Sequence, residues 1–170
     1  MSRDGLPSPS PINQDLEFLM SGRYHFSLEK IYRPVFYLAV HYRSLPSYIQ
    51  SNSQILREIF ETAQRALDQC AELIPNLWYH FRHEWIWNCI RATFGAAIQI
   101  IAAVLSEVQS ARTPGGWRLR PPRNWPALIR LSIRTLGFWG RESIDLDIMR
   151  STLERMYQGT CRLAGVRQDL

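Results

Sequence analysis

The sequence predicts an all-α protein, an irregular helical bundle of about five or six helices around a long apolar central helix. Apolar residues recur at steps of three and four along most of the chain, and this spacing places them on one face of a helix. No stretch alternates apolar and polar residues as a half-buried strand does. One segment, Gly95 to Leu105, is apolar nearly all round, which is typical of a helix surrounded by protein.

The composition indicates a globular chain. The 170 residues are enough for one buried core, and 46% are hydrophobic against 21% charged. The net charge of +5 is too small to indicate nucleic-acid binding by itself. Cys70, Cys89 and Cys161 are odd in number and far apart, which excludes a disulfide framework and a CxxC metal knuckle. We expect three buried, reduced thiols.

The chain divides into a disordered leader at 1–14, a single helical domain at 15–164 with a loop at 110–124, and a tail at 165–170. No stretch has the form of a secretory signal. The most apolar stretch, Ala92–Leu105, is shorter than the about 20 residues that cross a bilayer. We therefore expect no membrane association and a nuclear or cytosolic protein.

The first helix begins at Asp15, and Pro34 predicts a kink or a new helix that continues to about His41. A break at Leu45–Pro46 follows, and Ser47 is the candidate cap of a helix over 48–73. The predicted apolar face of the first helix contains Leu16, Leu19, Met20, Tyr24, Leu28 and Ile31. That of the second contains Ile55, Ile59, Ala63, Ala66, Leu67, Cys70 and Leu73.

The central helix is predicted over 78–108, and its small residues allow neighbouring helices to approach closely. After the loop, a helix is predicted over 125–139, with Phe138 among its apolar residues. Ser143 then caps a last helix that ends near Leu163 and carries Ile144, Leu146, Ile148, Met149, Leu153, Met156 and Tyr157.

Two polar clusters are candidates for a catalytic or metal site. His80, His83 and Glu84 share a helix face, but the zinc-protease pattern requires a second histidine at position 87, which is Trp. Asp145 and Asp147 flank a helix start, where acidic residues favour the helix dipole. We predict no catalytic residue, no metal site and no cofactor, so the chain is not expected to be an enzyme.

The loop combines positive charge with aromatic rings. Four arginines lie around Trp117 and Trp125 over residues 112–125, a mixture that can bind phosphates and stack bases. No known DNA-reading module surrounds them, so a solvated or partner-facing loop is favoured. The candidate partner-facing residues of this loop are Trp117, Arg118, Arg120 and Arg123.

Several stretches resemble the regulatory region of fungal zinc-cluster transcription factors. One is Ile31-Tyr32-Arg33-Pro34, followed by Phe36, Tyr37 and His41. A second is Cys70-Ala-Glu-Leu-Ile-Pro75, followed by the aromatic and then alanine- and isoleucine-rich helix of Trp85 to Ala103. Trp125-Pro-Ala-Leu, Thr135-Leu136, Trp139, Ser143 and Leu153-Glu154-Arg155 continue the similarity, which covers about residues 22–158.

The resemblance implies a nuclear, all-helical regulator of transcription that acts through intramolecular contacts, an effector or a protein partner. In that family a six-cysteine zinc cluster binds DNA, and this sequence has only three scattered cysteines. We therefore expect no sequence-specific DNA binding by this chain alone, and a protein partner or self-association instead. A part of a larger helical region would expose an apolar seam, and Tyr32, Phe36 and Tyr37 are its candidates.

Two alternatives stay open at this point. The chain could be a helical small-molecule-binding protein or enzyme, for which the central helix offers Asn88, Arg91, Thr93 and Gln99 as polar groups. It could also bind nucleic acid directly through the Arg/Trp loop.

Overall fold

The computed structural model describes residues 11–77, 86–110 and 117–166, with side chains from Met20 onward. The predicted all-α class is confirmed, and no strand occurs among the described residues. The helices are α1 (Pro11–Val40), α2 (Ser47–Gln50), α3 (Ser53–Asn76), α4 (Ile86–Ser110), α5 (Trp125–Gly140) and α6 (Ile144–Ala164), with a 3-10 turn at Tyr42–Ser44.

The apolar helix α4 is the centre of the bundle, as predicted. It packs against α1, α3, α5 and α6, and none of residues 95–106 is exposed. Ala96, Ala97 and Ala103 are fully buried, so neighbouring helices lie close to the α4 backbone. The predicted first part of this helix, 78–85, lies outside the described residues.

By length and composition, α4 is the one described helix that could cross a membrane. The helix has 25 residues and is therefore longer than the apolar stretch of the sequence, which was expected to be too short to cross a membrane. Within the protein, 61% of its most apolar window is buried, as in the core helix of a soluble protein. The absence of membrane association stays a prediction.

Helix α1 differs from the prediction in its bounds. It begins at Pro11 instead of Asp15, so it takes in part of the predicted leader, and it continues through Pro34 to Val40 without a break. A proline inside a helix removes one backbone hydrogen bond. Glu29 and Phe36, on either side of Pro34, are both buried, and their packing keeps the helix continuous.

The predicted helix over 48–73 is two helices, because Asn52 caps the second one. Its side-chain oxygen accepts hydrogen bonds from the backbone N–H groups of Gln54 and Ile55, each at 3.1 Å. Ser47 is the first residue of the short α2 and not its cap. The predicted α3 stripe is buried from Ala63 to Leu73, whereas Ile55 is exposed and Ile59 half-buried; Leu56 and Phe60 take the core positions there.

Helix α6 ends at a glycine with a left-handed backbone. Gly165 has φ of 67°, and the backbone N–H groups of Gly165 and Val166 both donate to the carbonyl of Cys161. Val166 packs against the core, so part of the predicted tail belongs to the fold. Leu146, Leu153 and Tyr157 are buried as predicted, while Ile144 and Ile148, and Phe138 of α5, are exposed.

At the start of α6, Ser143 is at the cap position but its hydroxyl does not bond a backbone N–H. The hydroxyl donates instead to the carboxylate of Asp145. That carboxylate also accepts from the Arg91 guanidinium of α4 at 2.7 Å. The two hydrogen bonds, first that of Ser143, lower the pKa of Asp145 below its ordinary value of 3.8. Asp145 therefore joins α6 to α4, whereas Asp147 pairs with Arg150 one turn along its own helix.

Replacing Ile100 by Ala is expected to lower the free energy of unfolding by about 2–5 kcal/mol, because the side chain is fully buried in α4. The same replacement at Ile31, which is 65% exposed on α1, is expected to change it by less than about 0.5 kcal/mol. Urea unfolding of the two variants and the unchanged protein measures both. A large loss of stability in Ile31→Ala would show that this face of α1 is covered in solution.

The variant Ser143→Ala is expected to raise the pKa of Asp145 toward 3.8, because it removes the main hydrogen bond to the charged form. A lowered pKa in the folded state stabilises the protein above the unfolded pKa, and that contribution is lost as pH falls through the folded pKa. Carboxyl NMR titration of Asp145 measures the shift, with Ser53→Ala as control. An unchanged Asp145 titration in Ser143→Ala would contradict the geometry.

Candidate functional site

Helix α1 has two apolar faces on roughly opposite sides. The inward face contains Gly22, Phe36 and Ala39, which are buried, mainly against α3. The outward face contains four side chains that share one side of the helix at about 100° per residue: Met20, Tyr24, Ile31 and Leu38. They are 59%, 61%, 65% and 38% exposed. We refer to these four as the outward row.

The outward row is the predicted core face of the first helix, so that prediction is wrong. Met20, Tyr24 and Ile31 were expected to be buried, and all three are exposed. Apolar periodicity finds such a row but does not tell whether the protein itself covers it. Because α1 is apolar on two sides, the pattern could not separate the packed face from the free one.

Positive charge borders the outward row. Between Met20 and Asn52 the sequence has four cations, Arg23, Lys30, Arg33 and Arg43, and a single carboxylate. That carboxylate, Glu29, is 1% exposed. Arg23 and Lys30 are exposed one heptad apart, and helical spacing puts both on the same flank of the row. From Met20 onward, the outer side of α1 is therefore apolar and positively charged.

The three aromatic residues predicted to face a partner have different positions. Phe36 is only 4% exposed and belongs to the core, so its prediction is wrong: it lies on the face of α1 that packs inward. Tyr32 is half-buried and packs against that core. Tyr37 is exposed, with its ring 4.4 Å from the ring of His41. Of these residues, Tyr37 is the most accessible to a partner.

The described part of the Arg/Trp loop is fixed against α3. The ring of Trp117 stacks on Phe60 at 5.6 Å, and Leu119 is buried. Gln64 donates to the carbonyl of Arg120 at 3.1 Å and accepts from its backbone N–H at 2.9 Å. These contacts hold the backbone and the tryptophan of the loop on the protein.

Two of the three described arginines of this loop share one surface site. Arg118 donates to the carbonyl of Ser110 at 3.0 Å. Arg118 and Arg120 line a shallow hollow of about 400 Å³ with Arg57 and Glu61. Arg123 is exposed and does not line it.

The two tryptophans of this loop are engaged within the protein. Trp125 is 8% exposed and its ring meets Tyr157 edge-on, while Trp117 is half-buried on Phe60. Neither ring is presented as a free platform for a nucleic-acid base. The observed geometry therefore gives the nucleic-acid interpretation little support beyond the arginines.

In the described ranges, no group of three His, Cys, Asp or Glu residues could hold a metal ion. His80, His83 and Glu84 lie outside those ranges. The cysteines are buried and free, as predicted. Burial raises the pKa of Cys89 to about 11, and burial together with the charge of Glu29 raises that of Cys70. Cys70 and Cys89 are therefore protonated at neutral pH and poorly suited to act as nucleophiles.

No protein-family model, curated protein or solved structure matches the chain. The resemblance to the regulatory region of zinc-cluster transcription factors therefore stays a prediction from the motifs.

Proposed function

We propose that this protein is a non-catalytic, transcription-regulator-like protein that acts by binding a protein partner on the outward row of α1. The observation that carries the proposal is the exposure of Met20, Tyr24, Ile31 and Leu38 on one side of a single helix. The link to transcription, and a nuclear location, rest on the resemblance of residues 22–158 to regulatory regions of zinc-cluster factors.

The outward row has a size suited to a transient interface. Four large side chains, each with on the order of 100 Å² exposed, form a patch of roughly 400 Å², within the range of functional patches on monomers. With an equal contribution from a partner and a polar rim, the buried surface would be about 1,000 Å². This is the lower end of the range for specific, transient contacts.

The occupant that fits this surface best is an amphipathic helix with acidic flanks. A second helix can lay its own apolar row along α1 in the manner of helix-in-groove recognition. The flank that carries Lys30 and Arg23 favours carboxylates on the partner, which would also speed association.

The same charges disfavour a second copy of this face as the occupant. Between Met20 and Asn52 the protein exposes no carboxylate. Two such faces in contact would bring positive charges of the two copies together, and like-charge contacts cost binding energy. Self-association through the outward row is thus the competing outcome of the experiment.

The test uses the full chain and two designed amphipathic helices with the same apolar row, one with Glu and one with Lys on its flanks. We expect the Glu peptide to bind with micromolar Kd and the Lys peptide at least about tenfold more weakly, as measured by fluorescence anisotropy. Ile31→Asp should weaken binding of the Glu peptide at least about tenfold, because it puts a negative charge in the middle of the row.

Ile148→Asp is the matched control, since Ile148 on α6 is 61% exposed and Ile31 is 65% exposed. An equal loss of affinity for the Glu peptide in Ile31→Asp and Ile148→Asp would contradict the proposed occupant. Equal binding of the Glu and Lys peptides would contradict it as well. If sedimentation shows a dimer that Ile31→Asp converts to a monomer, the occupant of the outward row is a second copy of this chain and not a partner helix.

For the link to transcription, the chain is fused to a separate DNA-binding domain and is expected to change the output of a reporter gene. Ile31→Asp should abolish the change, while Ile148→Asp should keep it. A reporter that the fused chain leaves unchanged would contradict that link.

A further inference from the structure

A cleft of about 470 Å³ lies between α1 and α4, distinct from the outward row. Phe26, Lys30 and Arg33 line it from α1, at spacings that give one helix face. Arg91, Phe94 and Gln99 are among the residues that line it from α4. Its volume is in the range of sites for small organic ligands.

The charge of the cleft indicates an anionic ligand. Its lining contains three cations and no carboxylate. Arg33 is paired with the buried Glu29, and Arg91 is paired with Asp145 at 2.7 Å. Lys30 is exposed, lies 5.1 Å from the centre of the Phe26 ring and forms no ion pair with a described residue. One positive charge is left over, which matches a single carboxylate.

A buried, unpartnered acceptor supplies a second and independent observation. The side-chain nitrogen of Gln99 donates to Glu29 at 2.6 Å, so the chemistry of the carboxylate fixes which end of the amide is the oxygen. Gln99 is 6% exposed, and its Oε1 has no hydrogen-bond partner among the described residues. The Oε2 atom of Glu29 is likewise buried without a hydrogen-bond partner among the described residues. Buried acceptors are nearly always satisfied, so a ligand with a hydroxyl or N–H donor suits this position.

The walls of the cleft suit an apolar ligand body. Phe94 and Ile98 of α4 are half-buried beside Phe26 of α1. Gly95 leaves room for the Arg33 guanidinium, because a Cβ at this position would lie 3.1 Å from Arg33 Nη2. The cleft therefore combines an apolar surface with one surplus positive charge and one free acceptor.

We propose that this cleft binds a small organic monocarboxylate. Its carboxylate would pair with Lys30, its apolar body would contact Phe26 and Phe94, and a hydroxyl or N–H group would donate to Gln99 Oε1. The outward row contributes no residue to this site, but Lys30 lies between the two and also belongs to the positive flank of the partner-binding surface.

The test is an NMR titration of the full chain with two hydroxy acids, 4-hydroxyphenylacetate and 6-hydroxyhexanoate. We expect saturable shifts of the Gly95 backbone amide and the Gln99 side-chain amide, with Kd of about 1 mM or lower for at least one acid. The neutral 4-hydroxyphenylacetamide and the amine tyramine should bind at least about tenfold more weakly. Inorganic phosphate, an anion without an apolar body, should give no saturable shift at Gly95.

Lys30→Met should weaken binding of the acid at least about tenfold, whereas Arg43→Met, at another exposed cation, should leave it unchanged. Circular dichroism checks that both variants keep their helices. Absence of saturable shifts with both acids up to about 10 mM would overturn the proposal. Binding of 4-hydroxyphenylacetamide or of inorganic phosphate as tight as that of the acids would overturn it as well.

Discussion

One buried carboxylate, that of Glu29, joins the inward face of α1 to α4. Glu29 is 1% exposed, and its Oε1 accepts hydrogen bonds from Arg33 Nε at 2.7 Å and from Gln99 Nε2 at 2.6 Å. Burial of a charged carboxylate is costly unless hydrogen bonds and an ion pair compensate it. In this protein Gln99 of α4 and Arg33 of α1 bond to Oε1, whereas Oε2 has no hydrogen-bond partner among the described residues. Glu29 shares the inward face of α1 with the buried Phe36 and Ala39.

The inward position of Glu29 and of the apolar residues beside it places both candidate sites. With Glu29 turned inward, Phe26, Lys30 and Arg33 lie along α4 and form one wall of the cleft. The same rotation directs Met20, Tyr24 and Ile31 away from the bundle, where they are exposed. A rotation of α1 by half a turn would bury that row and expose Glu29, and it would remove both surfaces. The proposed partner surface and the proposed ligand cleft are thus two consequences of one packing choice.

The sequence predicts the fold well where one pattern dominates. The apolar segment of α4 and the helix that begins at Trp125 are correct within a few residues, because burial on all sides or on one clear face leaves a distinct periodicity. The exposed seam was expected from the resemblance to part of a larger helical region. Of its three predicted residues only Tyr37 is exposed; Phe36 is in the core, Tyr32 is half-buried, and the row with Ile31 is outside. The reason is that α1 is apolar on opposite sides, so periodicity alone cannot select the inner face.

The cleft was less predictable, because it depends on contacts between distant residues. Glu29 and Gln99 are separated by 70 positions along the chain, and nothing in the local pattern of either helix pairs them. The sequence shows Arg91 and Gln99 as polar groups of the central helix, but it does not connect Lys30 and Arg33 with them. Likewise, Asn52 divides a predicted single helix because its side chain caps α3, a local bond that competes with helix continuation.

A double-mutant cycle between Glu29 and Gln99 tests the central claim most directly. The variants Glu29→Met, Gln99→Met and the double replacement keep side chains of similar size, and urea unfolding gives the free energy of each. We predict that the double variant loses less stability than the sum of the two single variants, by about 1.5–3 kcal/mol, because each single change leaves a buried polar group unsatisfied. A coupling below about 0.5 kcal/mol would show that the Glu29–Gln99 contact does not determine how α1 packs on α4.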